Sequence, residues 1–157
     1  MKTVCFTGHR HISPQEREPL ETALSREILQ QIQQGATCFR AGGAVGFDTM
    51  AALAVLKHRC DYPDIRLELI LPCPSQPARW SAEDVRVYNR ILREADSYRY
   101  VSPIYYEGVM QQRNRALVDG ATTCIAYLRT STGGSGYTAA YALRSGLEFI
   151  SISDKMK

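Results

Sequence analysis

A chain of 157 residues with 45% hydrophobic and 22% charged content has room for one domain with a real core, residues 1–157, and not for two ordinary ones. That balance excludes disorder, and with no apolar run near the ~18 residues of a spanning helix, no membrane partner is expected. A net charge of +3 suits an anionic ligand but is too small to argue for nucleic acid, which is read as an unlikely partner. The start, Met1-Lys2-Thr3, enters a strand without a signal-peptide layout, so a cytoplasmic location is expected. Of five cysteines, Cys5, Cys38 and Cys124 lie in apolar strand-like runs, where reduced thiols act as small core hydrophobes.

Taken in order, Lys2 to Phe6 reads as a short buried strand emptying into Thr7-Gly8-His9-Arg10-His11. Ser13, Pro14 and Glu16 then combine an N-cap serine, a proline at the first helical position and a glutamate three residues after the cap. Leu20, Leu24, Ile28 and Ile32 carry that helix to about Gln34, and Gly35 stops it. Thr37 to Ala41 is a second strand, followed by Gly42, Gly43 and Gly46 and by a helix with Phe47, Met50, Ala51, Ala54, Val55 and His58 on one face. After a polar turn at Asp61–Asp64, Ile65 to Leu71 is a third strand, and the prolines from Pro72 to Pro77 exclude helix and central strand up to Trp80.

Ser81 and Asp84 mark the start of a third helix, with Val85, Tyr88, Ile91, Leu92 and Ala95 inward, and Ser97 to Val101 gives a fourth strand. A loop from Ser102 to Gly108 precedes a helix from about Val109 to Asp119, and Thr122 to Leu128 is the fifth strand. Arg129 to Gly136 reads as a second glycine loop, followed by a helix through Leu143 and a last strand from Leu147 to Ile152. Such alternation of strands and helices predicts βαβ units with right-handed crossovers. The fold class is α/β: a three-layer α/β/α Rossmann-like sandwich with a mostly parallel sheet of about six strands. The loops that leave strands one to five then share one edge, where open α/β folds bind ligands.

Glycines at 42, 43 and 46 let the backbone approach a ligand, and the helix start behind them presents free N–H groups, which suits a phosphate. The dinucleotide fingerprint fails because its first glycine position is Ala41 and the loop follows the second strand; a P-loop fails for want of Gly-Lys-Ser/Thr. His9, Arg10 and His11 have no cysteine or carboxylate cluster to complete a coordination sphere, so no metal and no cofactor are expected, and Arg10 reads as an anion contact. Asp48 in a first helical turn either answers the helix dipole or hydrogen-bonds a ribose or the glycine loop. Arg113 and Asn114 fall on a helix face that should be apolar. A charge so placed needs a partner: a phosphate at the same edge, or Asp119 or Glu107. Trp80, Tyr105 and Tyr106 offer surfaces for stacking a base.

Thr7 to Arg10, the Gly-Gly-Ala-x-Gly-x-Asp stretch at Gly42–Asp48, Trp80, Tyr105/Tyr106 before Arg113-Asn114-Arg115, Val118-Asp119 and Gly133-Gly134 together resemble the YpsA-like branch of the SLOG superfamily. The resemblance covers essentially the whole chain. It implies a Rossmann-like fold related to LOG-type phosphoribohydrolases and DprA proteins, and a nucleotide or nucleotide-derived ligand at the glycine loops. The positions carried over are Gly42, Gly43, Gly46, Asp48, Arg113, Gly133, Gly134 and Gly136; Gly8, His9, Arg10, Trp80, Tyr106, Asn114 and Thr138 complete the candidate ligand-binding set. The LOG-type motif Pro-Gly-Gly-x-Gly-Thr-x-x-Glu is altered here, with Ala140 where its glutamate should stand, so no catalytic residue is assigned and an enzyme is not favoured. Binding or sensing of the ligand is therefore the leading expectation. The alternatives are hydrolysis of a nucleotide N-glycosidic or phosphate bond, with Asp48 or Glu107 as substitute, and DprA-like single-stranded DNA binding. Related folds often pair through a helix face, which makes a homo-oligomer a further expectation.

Overall fold

The computed structural model describes residues 2–129 and 133–156. Its strands β1 (Lys2–Gly8), β2 (Ala36–Ala41), β3 (Arg66–Leu71), β4 (Ser97–Tyr100), β5 (Thr123–Tyr127) and β6 (Glu148–Ser151) form one sheet in the order β4-β3-β2-β1-β5-β6. Every pairing is parallel. Parallel neighbours require a crossover, supplied by α1 (Pro14–Gln33), α2 (Phe47–Arg59), α3 (Ala82–Glu94), α4 (Val109–Val118) and α5 (Gly133–Arg144). Helices α1, α2 and α3 pack in sequence on one face, and α4 pairs with α5 on the other. The result is the expected three-layer Rossmann-like sandwich.

A strand covered on both faces is apolar without alternation, and β1 meets this with residues 3–7 all buried. Between the sheet and α1–α3 lies the larger core, including Phe6, Leu24, Phe39, Phe47, Leu69 and Tyr127. A smaller one, built on Cys5, Ile70, Leu117, Val118, Cys124 and Ala142, lies under α4 and α5. All five cysteines are free, with Cys5 and Cys124 in that core and Cys38 only half-buried on β2. Cys38 differs from expectation because it shares its face of β2 with Arg40, where no helix covers the sheet fully.

Two helix starts show how local signals fared. Ser81 caps α3 as expected, its hydroxyl accepting the Asp84 N–H at 3.2 Å. At α1, Pro14 holds the first position, but the Ser13 hydroxyl caps no backbone N–H and instead donates to Glu16 Oε1 at 3.4 Å. The Glu16 carboxylate is drawn away from a capping box: it accepts from Tyr127 Oη at 2.6 Å and pairs with Arg129.

The second glycine segment departs from the expected loop. Residues 130–132 lie outside those described, but α5 begins at Gly133, so Gly133, Gly134 and Gly136 form its first turn. First-turn N–H groups carry no intrahelical bonds, and side chains pin the turn: the Ser135 hydroxyl donates to the Gly8 carbonyl at 2.7 Å and that of Thr138 to the Gly134 carbonyl at 2.9 Å. Beyond β6 the chain forms an unforeseen 3-10 helix, Ile152–Lys155, fastened by Lys155 Nζ to the buried Glu27 carboxylate at 3.2 Å.

Candidate functional site

Strands β1 to β4 progress in one direction across the sheet, and β5 then enters on the other side of β1. The exit of β1 leads to α1 on one face and that of β5 leads to α5 on the other. At such a reversal the connecting segments diverge and leave a crevice. A cleft of about 330 Å³ lies there, walled by Thr7 and Gly8 from β1, Arg10 and Ala44 from the loops, Asp48 on α2, Arg113 and Asn114 on α4, and Gly134, Ser135 and Thr138 on α5.

The first glycine stretch holds this wall in place. Gly46 has a φ of +84°, and a side chain there would run into the Arg10 carbonyl; only glycine meets both demands. At Gly42 a Cβ would stand 2.9 Å from both Arg113 Nη1 and Asp48 Oδ2, so its absence lets the two charged groups close on the loop. The Gly42 carbonyl accepts from Arg113 Nη1, and from Gln76 Nε2 at 3.4 Å. Asp48 Oδ2 accepts the Ala44 N–H at 3.3 Å, and the Thr49 hydroxyl donates to the Ala44 carbonyl at 2.9 Å.

Arg113 and Asn114 are both buried, and Arg113 Nε donates to Asn114 Oδ1 at 2.9 Å. Of the partners left open by the sequence, neither Asp119 nor Glu107 lies at this site. The Asp119 carboxylate accepts from Tyr141 Oη at 2.7 Å, and Glu107 is exposed. Burial dominates at Arg113 and holds its guanidinium below the usual value, against the support of Asp48 and Tyr88 and with Arg10 adding to the lowering. Burial also dominates at Asp48, pushing its carboxyl up to about 6 against the pull of Arg113, the Ala44 N–H and Arg10. The cleft thus holds a carboxyl that changes charge near neutral pH, an amide, hydroxyls and cations, a set able to bind a polar anionic molecule.

The remaining candidates are distributed differently. His9 staples β1 to its neighbours: its N–H donates to the Tyr127 carbonyl at 3.2 Å, its carbonyl accepts the Phe47 N–H at 3.1 Å, and Nε2 accepts the Arg129 N–H at 2.6 Å. Gly43 lies against Leu71, and Gly136 is buried within α5. Trp80 packs edge-on against Tyr88 with centroids 5.3 Å apart, and Tyr106 is an exposed residue near Gly108; neither lines the cleft. Cleft residues absent from the sequence-derived set are the core residues Phe6 and Leu117, together with Thr7, Ala44, Met110, Gln111 and Ser135. Thr7 and Ser135 stand beside glycines already singled out, whereas Met110 and Gln111 carry no signal that separates them from ordinary helix residues. Among the described residues no three His, Cys, Asp or Glu side chains gather to hold a metal.

Comparison with known proteins agrees with this architecture. The model of the family YpsA, described as the YspA SLOG family, matches residues 5–146. A UPF0398 protein of Staphylococcus haemolyticus is 30% identical over 118 residues, covering 71% of this chain and 63% of that protein. A UPF0398 protein of Halalkalibacterium halodurans is 30% identical over 94 residues, covering 60% and 50% respectively, so the chain spans one half to two thirds of these relatives. Among solved structures, DNA processing protein A of Helicobacter pylori, studied for its single-stranded DNA binding mode, superposes with a TM-score of 0.63 at 18% identity over 99% of this chain and 78% of that one. The protein of that name from Streptococcus pneumoniae gives 0.64 at 18% identity over 94% and 49%. Likeness at this identity is likeness of fold.

Proposed function

The chain belongs to the YspA SLOG family, and we propose that it binds or senses a nucleotide or nucleotide-derived ligand in the cleft at the C-terminal edge of the sheet. The observation that carries this reading is the convergence of Arg10, Asp48, Arg113, Asn114 and the first turn of α5 on one crevice. Main-chain N–H groups at a helix start and a nearby guanidinium suit phosphate oxygens. Ala140, at the position of the LOG-type glutamate, is an exposed residue of α5 and supplies no acid or base, so binding is favoured over turnover.

Calorimetric titration with nucleoside mono-, di- and triphosphates, ADP-ribose and cyclic dinucleotides tests it. We expect saturable binding by at least one of these, weakened roughly tenfold or more in Arg10→Ala, since a hydrogen bond to a charged group contributes about 1.5–3 kcal/mol. No binding across the panel, or binding indifferent to both Arg10→Ala and Arg113→Ala, sinks the proposal. Product analysis of the same mixtures reports on the hydrolase alternative.

A second reading, single-stranded DNA binding, is favoured by the fold shared with DNA processing protein A and by the exposed Ile104, Tyr105 and Tyr106 ahead of α4. Sequence-independent binding would combine stacking on those tyrosines with Arg115 and Arg10 on phosphates. Fluorescence anisotropy with a labelled thymidine oligomer should then show affinity that falls steeply between 50 and 200 mM salt and drops on Tyr105→Ala, on the order of tenfold. Affinity unchanged by that substitution would exclude this surface.

A further inference from the structure

We infer that the protein carries a second ligand site, for a small organic cation with a primary ammonium group, at the edge of the sheet opposite the cleft; it does not depend on what the cleft binds. A cavity of about 400 Å³ opens there between the start of β2 and the turn into β3, lined by Thr37, the turn Asp61–Asp64, and the apolar Ile32 and Ile65. By alternation along β2, Thr37 shares the face of Phe39, toward α1 and α2. Its hydroxyl oxygen is buried and makes no hydrogen bond among the described residues.

The electrostatics of this edge are the reverse of those at the cleft. Helices of a parallel sheet run against the strands, so their C-terminal ends, which carry partial negative charge, gather here. α1 ends at Gln33 and α2 at Arg59, both beside the cavity. Asp61 and Asp64 add two carboxylates, and neither side chain makes a hydrogen bond or ion pair among the described residues. The basic last turn of α2 does not offset them. Arg59 is turned to Asp96 and the Glu94 carbonyl, His58 to Ser25, and Lys57 lines a different groove, between α1 and α2. No basic side chain stands among the described lining residues.

Buried polar groups are normally satisfied, so the open Thr37 hydroxyl marks where a ligand atom completes the set. A water would satisfy that hydroxyl alone, whereas a cation also answers the two carboxylates and the helix ends. A primary ammonium has three N–H donors and no acceptor, and Asp61, Asp64 and Thr37 offer three acceptors. Tyr62, 36% exposed, adds a ring face that attracts a cation, and Ile32 and Ile65 suit a short alkyl chain. A bare metal ion fits less well, because among the described residues no three His, Cys, Asp or Glu side chains gather to hold one and the cavity has the volume of a small molecule.

Isothermal titration of the full chain with butylammonium and with putrescine, followed by amide shifts in heteronuclear NMR, tests this. We expect saturable binding of both, with shifts concentrated at residues 35–37 and 61–65, and no saturation by butanol. Asp61→Asn and Asp64→Asn should each weaken binding about three- to fivefold, as for exposed ion pairs. Thr37→Val, which keeps the side chain's shape, should weaken it about five- to tenfold. Both aspartates are exposed, so the remaining amide shifts of their variants should match those of wild type. Absence of saturation by either amine, binding matched by butanol or by magnesium, shifts centred instead on Gly8, Asp48 and Arg113, or affinity unchanged in the double variant Asp61→Asn/Asp64→Asn overturns the inference.

Discussion

Asp48 loses more through burial than it regains from Arg113, and its titration makes that balance measurable. Its carboxyl rises from an ordinary 3.8 to about 6 in the folded protein. A carboxyl whose folded pKa is raised contributes stability that is fully present below the unfolded value and is lost as pH climbs through the folded one. The loss therefore runs from roughly pH 4 to 6, and a shift of about two units corresponds to roughly 3 kcal/mol. In urea unfolding, Asp48→Asn should match wild type near pH 4 and exceed it by up to about that amount at pH 7. A variant less stable than wild type at pH 7 would mean that the Arg113 attraction prevails over burial. Arg113 was legible as unusual because a charge on an apolar helix face contradicts the periodicity around it, and Asp48 stood out only as a carboxylate in a first helical turn beside the glycines. That they face each other across Gly42 was not, because 65 residues separate them in the chain and only the crossing of α4 over the end of β2 brings them together.

For the elements, legibility followed the range of the deciding interaction. The α3 cap is a contact between residues three apart, so Ser81 was readable, and Ser81→Ala should cost about 1 kcal/mol in chemical denaturation, with far less change for Ser13→Ala. The second figure is small because Ser13 makes no side-chain bond to a helix N–H. Glu16, which a capping box would turn back to Ser13, is instead engaged by Tyr127 and Arg129 on β5 and beyond. The glycines of α5 misled in the opposite sense. Glycine content argues for a loop, yet a tertiary bond from Ser135 to Gly8 seats the turn against β1, and the helix reaches back to Gly133.

At the scale of the molecule, the sheet order sets both the gradient of stability and the place of the cleft. β1 sits between β2 and β5 with Val4, Cys5 and Phe6 fully buried, whereas β4 is an edge strand with Tyr98 half-exposed. Native-state hydrogen exchange should be slowest for amides 4–6 and 124–126 and faster by orders of magnitude at 98–100, since edge amides open without global unfolding. Uniform protection across the sheet would contradict this. The succession of strands and helices, the parallel sheet and the edge that carries the glycines follow from apolar periodicity, capping residues and chain-length limits on crossovers, all properties of neighbouring residues, and so the sequence alone determined them. Which side of β1 receives β5, and hence where the crevice opens and that it gathers Thr7, Asp48, Asn114 and Gly134 while leaving Trp80 and Tyr106 outside, was decided by the tertiary structure. Strand order is a choice among packings of similar local preference, settled by how the two apolar faces are covered at once.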